Sequence, residues 1–323
     1  MAYPSLMNKK LLFSVLKHSK LWLFISALFL IPSILAIIYS CIVNPNHAPL
    51  KLGIDFTGGT VLQYSVEQKL DIKDVQNVRE KLVAQGVHNP LVQSIEGPSG
   101  DIISIKMPFI EQEDGETSLK VDSALAEALK NPELIQTNSV GPTLGAELLK
   151  NSLSAVVLAF LGIVVYISFR FQYEYAAVTL LTIVHNLIIL IGVFSIFSIL
   201  FNMYMDSLFI TAVLTSIGYS VHDTIVVFDR IRENNRFLAK KYSFAQIVDA
   251  SVSQTFARSM NTSFTLVLVL LALYFFGGTT TKDFVLAMLL GVIVGTYSSI
   301  FFGSVVLNYV MTKRQPKVVE AEA

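Results

Sequence analysis

Charge is scarce in this chain. Only 15% of its 323 residues are Asp, Glu, Lys or Arg, and 53% are hydrophobic. A soluble domain carries about 25% charged and about 45–50% apolar residues. The imbalance excludes an ordinary soluble globule and points to an integral membrane protein. The charge that is there cancels, with 24 basic against 24 acidic residues, so no global field draws nucleic acid. Cysteine is confined to Cys41, which excludes an intrachain disulfide framework; it reads as a buried or lipid-facing thiol. The five histidines are scattered, with no second thiol near them, so no metal cluster is legible. No cofactor is expected.

Long apolar runs, by contrast, are abundant. A membrane helix needs about 20 mostly apolar residues, and six stretches qualify: 21–43, 152–169, 176–200, 207–228, 259–276 and 284–311. The last five would form a bundle over 151–311. Lys9, Lys10, Lys17 and Lys20 precede the first span, Arg170 follows the second, and Arg230, Arg232, Arg236, Lys240 and Lys241 follow the fourth. Lys313, Arg314 and Lys317 follow the sixth, while the opposite loops hold only Lys282 as a basic residue. Cytoplasmic loops are rich in Lys and Arg, so both termini (1–20 and 312–323) are expected in the cytoplasm. The stretch 44–150 would then be external. The first apolar run exceeds the usual core of a signal peptide and no A-x-A site follows it. "IIYSC" loosely resembles a lipoprotein site, with Tyr39 a poor fit, so an uncleaved anchor is expected.

The external stretch alternates strand and helix signals. "KLGIDFTGGTVLQYSV", Lys51–Val66, reads as strand, Gly turn, strand. Asp71–Gln85 has helical apolar spacing with Asp71 as N-cap. Strands are expected at 89–95 and 101–107, a helix at 118–130 and a last strand at 137–140. The order ββαββαβ predicts a small α+β domain, one sheet with helices on one face. The motif residues Gly53, Asp55, Gly58 and Gly59 read as structural. No helix opens directly after the glycines and no Lys-Ser/Thr follows, so a hairpin turn explains them better than a phosphate cradle. No nucleophile–base pair is legible, which favours a binding surface over a hydrolase.

One acid is out of place. In "SIGYSVHDTIVVFDRIREN", Ser216–Asn234, Asp223 lies inside the fourth apolar run, about 6–9 Å from its end at 1.5 Å per residue. An ionised acid at mid-span costs about 2.5–3.5 kcal/mol, less toward the edge. The group must hold a proton or have a cation partner. Arg258, which opens the fifth span in "SQTFARSMNTS", is the expected partner. His222, Thr224, Asn261, Thr262 and Ser263 would hold water or a proton wire around the pair. Two plainer readings stay open: Arg258 as a snorkelling boundary residue, and Asp223 as a hydrogen-bonding acid at a helix contact. Asp229, Arg230, Arg232 and Glu233 read as a solvated cluster that fixes orientation. His185 and Asn186 read as an interhelical hydrogen bond, and Gly291, Gly295, Gly303, Ser298 and Ser299 as a close-packing stripe. Ala245–Ala257 is amphipathic and is expected along the membrane surface.

Five long motifs run in order from about residue 50 to 310: "GIDFTGGT", "VGPTLGAEL", "GYSVHDTIVVFDRIREN", "SVSQTFARSMNTS" and "FGGTTTKDFVLAMLLGVIVGTYSSIF". Together they resemble the SecF family of the bacterial-type Sec protein translocase. The resemblance implies a heterodimer with SecD, a core similar to resistance-nodulation-division transporters, and attachment to the SecYEG channel alongside SecA and YajC. It implies that proton flow, rather than a bound cofactor, promotes late translocation of preproteins, and that Asp223 and Arg258 take part in proton passage with a SecD aspartate. It implies a bacterial inner (plasma) membrane, with a thylakoid-type membrane as the alternative. Where many relatives have His-Asp in span three, this chain has His185-Asn186; Asn cannot titrate, so Asn186 is left out of the relay.

Two other functions remain. A half-size exporter of lipids or small molecules fits poorly, because such chains carry both halves in one polypeptide. A non-transporting assembly scaffold would use Asp223 and Arg258 merely as glue. An enzyme is not expected. The fold class is therefore a polytopic α-helical membrane protein with six transmembrane helices and one small α+β external domain between helices 1 and 2.

Overall fold

The computed structural model describes residues 14–87, 90–97, 100–109, 115–278 and 281–314. Lys9, Lys10 and Lys317 lie outside them. Six helical stretches are long and apolar enough to cross a membrane. Span one is α1 (Ser19–Val43), entered through a 3-10 turn at Leu16–His18. The others are α4 (Pro142–Arg170), α5 (Tyr173–Phe201), α6 (Ser207–Leu238), α7 (Phe244–Phe276), and α8 (Lys282–Tyr297) continued by α9 (Gly303–Arg314). Between α1 and α4 stand β1 (Gly59–Val66), α2 (Ile72–Ala84), β2 (Leu91–Gly97), β3 (Gly100–Met107), α3 (Gly115–Ala128) and β4 (Glu133–Val140).

The chain divides into two compact units. The external one comprises Leu52–Ala155 and, unexpectedly, Tyr204–Ser207. Its sheet has the order β2-β3-β1-β4, antiparallel throughout, the split βαβ arrangement. Alternation puts Leu62, Tyr64 and Val66 of β1 beside Ile103, Ile105 and Met107 of β3. Val78 and Leu82 of α2 and Val121 and Leu125 of α3 close over that face. α2 starts where expected: Asp71 and Asp74 form a reciprocal capping box, satisfying two orphan donors of the first turn. Tyr64 donates its hydroxyl hydrogen to Asp122 Oδ1 at 2.7 Å. Burial, with Asp122 adding to it, pushes the Tyr64 phenol above the ordinary tyrosine range.

The expected first strand of this domain is not a strand. Ile54–Thr57 is a single helical turn, with Ile54 and Phe56 buried. Alternation over four residues cannot distinguish a strand from one turn of helix, because i and i+2 are both buried when the turn is wedged between layers. The glycines are therefore not a hairpin. Gly58 ends the turn at φ 72° and Gly59, at φ 139°, opens β1. A Cβ on Gly58 would stand 2.7 Å from Pro142 Cα, and one on Gly145 would stand 2.9 Å from the Gly58 nitrogen. The motifs "GIDFTGGT" and "VGPTLGAEL" thus interlock through missing side chains.

The second unit is the bundle: residues up to Lys51, Val156–Met203 and Leu208 onward. Spans one and three pack through small residues. A Cβ on Gly192 would overlap Ser33, and Ser40 and Ser195 share a hydrogen bond of 2.7 Å. Span five departs from expectation. The amphipathic segment at 245–257 and the apolar run after it form one helix, α7, started by a Ser243–Gln246 capping box. Ile247, Val248, Ser251 and Val252 are buried in protein rather than laid on a surface. No Pro or Gly interrupts 244–276, so nothing separates the two parts. Asp249 on α7 accepts hydrogen bonds from Ser14 Oγ (2.5 Å) and Leu16 N (3.0 Å). It thereby anchors the chain entering span one.

Candidate functional site

The site is built on one face of α6. Ser216, Ser220, Asp223, Thr224 and Val227 recur at helical spacing and are buried. Span six answers them in register. The Cβ that Gly291 lacks would overlap Ser216, and that of Gly295 would sit 3.3 Å from Ser220 Cβ. One turn on, Ser299 replaces glycine and its hydroxyl lies 2.8 Å from Thr224 Oγ1. Glycine is needed where α6 presents serine, because two side chains do not fit at that crossing. Ser298–Phe302 is a π-helical turn between α8 and α9, a local widening frequent at functional sites.

Asp223 is 6% exposed, and its Oδ2 has no hydrogen-bond partner in the protein. The Ser259 and Ser299 hydroxyls stand beside the carboxyl, but Ser259 Oγ is itself buried and unpartnered. Neighbouring hydroxyls are satisfied. Ser263 Oγ lies 2.6 Å from Tyr219 OH and 2.7 Å from Thr296 Oγ1. Asn186 of α5 donates from Nδ2 to Ser220 Oγ at 2.5 Å. His185 stacks on Phe302 with centroids 4.1 Å apart and its Nε2 is buried without a partner.

Arg258 is not at the carboxylate. It is exposed, it forms no ion pair with Asp223, and it lines a cleft of about 500 Å³ with Asp229, Arg230, Glu233, Gln254 and Thr255. The charges around that cleft are not merely solvated. Arg230 reaches Gln254 (2.6 Å) and Glu233 (2.7 Å), and Asp229 holds Arg232 (2.7 Å) and Arg170 of span two (3.1 Å). Asn234 donates to Ser251 Oγ at 2.9 Å. The cluster therefore ties spans two, four and five together. Among the described residues no three His, Cys, Asp or Glu side chains gather as a metal site would require.

Two family models match: SecD/SecF protein export membrane protein, C-terminal, over residues 120–313, and the SecD/SecF GG motif over residues 47–69. The protein translocase subunit SecF of Thermobaculum terrenum is 43% identical over 272 residues, 80% of this chain and 84% of the relative. The chain belongs to the SecF family. The SecF subunit of Escherichia coli O157:H7 is 37% identical over 81% of this chain and 79% of its own length. A crystal structure of SecDF, a translocon-associated membrane protein from Thermus thermophilus, superposes with a TM-score of 0.77 at 30% identity. That likeness covers 94% of this chain and 39% of the SecDF chain.

For this SecF-family chain, the residues singled out in the sequence divide into two groups. Asp223 and Thr224 are buried together. His222, Arg258, Asn261 and Thr262 are exposed, and Thr262 Oγ1 is spent on the Arg258 carbonyl at 3.0 Å. The buried face of α7 carries Thr255, Ser259 and Ser263 instead. Sequence reading missed Ser259, Ser220 and Ser299, since isolated serines hide easily in apolar runs. A search for serines at i, i+4 and i+8 would have found the face.

Proposed function

We propose that the chain is an accessory subunit of a Sec preprotein translocase that works with a SecD-type partner and uses the proton motive force in late translocation, with Asp223 as the proton-binding group. The observation that carries this reading is a buried carboxyl oxygen without a partner, in a span-four helix of a SecF-family chain. A charge there is costly; a bound proton removes the cost. When the proton leaves, the carboxylate needs a new partner, and Ser259 and Arg258 are adjacent candidates on α7. A modest turn of α7 exchanges a hydroxyl for a guanidinium, because consecutive residues are about 100° apart around a helix. One charge crossing 100 mV yields about 2.3 kcal/mol, enough to bias a conformational equilibrium of that size.

The outer faces of spans four and five support a protein partner. Thr211, Thr215, Gly218 and His222 form an exposed stripe on α6, and Arg258, Asn261, Thr262 and Thr265 form one on α7. Polar stripes in membrane-crossing helices face protein or water rather than lipid. A SecD-type half, and through it a SecYEG channel, fits that need. The test is gradient-stimulated preprotein translocation in vesicles holding SecYEG, SecD and this chain, wild type or Asp223→Asn, with co-purification of SecD as the assembly control. Loss of stimulation with assembly intact supports coupling. Unchanged stimulation leaves Asp223 as a structural contact in a scaffold.

A further inference from the structure

The loop between spans three and four folds with the external unit. Tyr204–Ser207 belong to that unit, whereas the residues on either side, Met203 and Leu208, belong to the bundle. Leu52 and Met205 form a parallel β-bridge, and Gly53 N donates to the Met205 carbonyl at 2.7 Å. A Cβ on Gly53 would stand 2.8 Å from that same oxygen, so only glycine permits the approach. Lys106 Nζ stands 4.2 Å over the Tyr204 ring and 3.4 Å from the Leu52 carbonyl. Burial pushes the Lys106 ammonium below the usual lysine range, and the Asp55 carboxylate opposes that shift.

The fourth contact is the most specific. Asp55 Oδ2 accepts from Ser207 N at 2.9 Å and from Ser207 Oγ at 2.6 Å. Ser207 is the first residue of α6. Its N–H is one of the donors a helix leaves open at its first turn, at the positive end of the dipole, where a carboxylate is favoured. Asp55 is held there by the helical turn Ile54–Thr57, whose Ile54 and Phe56 are buried and whose end is fixed by Gly58. Asp223 lies sixteen residues further along the same helix, about 24 Å away at 1.5 Å per residue. Asp55 therefore has no direct contact with the proton-binding group.

We propose that Asp55 is a positioning residue that clamps the first turn of the span-four helix to the external unit, so that a shift of the helix bearing Asp223 is passed to that unit. This rests on the proton-coupling reading. A helix transmits axial movement because its length is fixed by its own hydrogen bonds, and a clamp at its end is what an otherwise slack loop lacks. The "GIDFTGG" segment then has a task for each polar or glycine position it contributes: Gly53 for approach, Asp55 for the clamp, Gly58 to fix the turn.

The test uses the full chain assembled with SecD and SecYEG in vesicles, in a Cys41→Ser background. Asp55→Ala removes the clamp and Asp55→Asn weakens it. A Leu52→Cys/Met205→Cys pair restores the tie covalently, since bridged strand neighbours lie about 4.8 Å apart, within disulfide range. Two readouts are taken: hydrogen exchange of the Ser207–Thr211 amides, and gradient-stimulated translocation. Asp55→Ala is expected to speed exchange at Ser207 by about tenfold and to lower stimulation, with Asp55→Asn in between. The oxidised pair is expected to restore stimulation in Asp55→Ala and to leave it intact with Asp55 present; reduction should remove the rescue. Unchanged exchange in both Asp55 variants overturns the clamp. So does a disulfide that fails to rescue, which would mean that Asp55 acts chemically, or one that blocks the Asp55 form, which would mean that the contact must open. If the wild-type complex shows no gradient stimulation, the proton reading falls, and exchange alone decides whether the clamp exists.

Discussion

The Asp223 carboxyl faces the Ser259 hydroxyl and not the Arg258 guanidinium one residue earlier. Ser259 is buried and Arg258 is exposed beside a charged cleft. The two neighbours therefore have separable roles. Arg258→Gln is expected to change stability by less than about 0.5 kcal/mol, as an exposed substitution does, while abolishing gradient-stimulated translocation. Thermal melts in detergent and the vesicle assay, run on the same preparations, check both halves. A large stability loss with normal stimulation would make Arg258 structural.

The crossing of spans one and three depends on the absence of a side chain at Gly192, where a Cβ would overlap Ser33. Gly192→Ala is expected to destabilise the bundle by about 1–3 kcal/mol, the usual cost of overpacking. Adding Ser33→Gly should recover most of it. The melting temperature of the single and double variants in detergent gives the answer, and additive losses would show that the two positions are not in contact.

Asn186 holds Ser220 but carries no titrating group. Asn186→Ala is expected to cost about 1 kcal/mol for the lost hydrogen bond and to leave gradient stimulation in place. Loss of stimulation at unchanged stability would put span three in the relay after all.

Tyr64 gives the external unit a pH dependence of definite sign. Its folded phenol is pushed above the ordinary range by burial and by Asp122, so it stays neutral when an unfolded tyrosine, near pH 10, already ionises. The unfolded state then binds fewer protons, and stability falls as pH rises above about 10. Below that, the contribution is fully present. Tyr64→Phe is expected to lose about 1 kcal/mol near neutrality and to flatten the alkaline decline. Limited proteolysis of the full chain across pH 8–11 in detergent reads both effects; an equally steep decline in the variant would assign the titration elsewhere.

Much of this architecture was legible because apolar runs and capping residues act locally. The six spans and the Asp71 cap follow from windows of a few residues. Burial of Asp223 was legible from the run around it. Its partner was not, because one residue of offset on α7 turns a side chain by about 100°, and sequence alone does not say which of Arg258 and Ser259 faces inward. The helical turn at Ile54–Thr57 was misread as strand because four residues hold too little periodicity. The tie between Asp55 and Ser207 joins residues 152 apart, and no local pattern announces it. The π-helical turn at Ser298–Phe302 likewise reflects packing rather than propensity.

The central claim is that Asp223 binds and releases a proton. The most direct measurement is infrared difference spectroscopy of the SecD-bound chain in membranes, with pH stepped across the range of function, comparing wild type with Asp223→Asn. The account predicts a protonated-carboxyl band that disappears as the proton leaves and that is missing from the variant. The same band change in both proteins, or none in either, would contradict it.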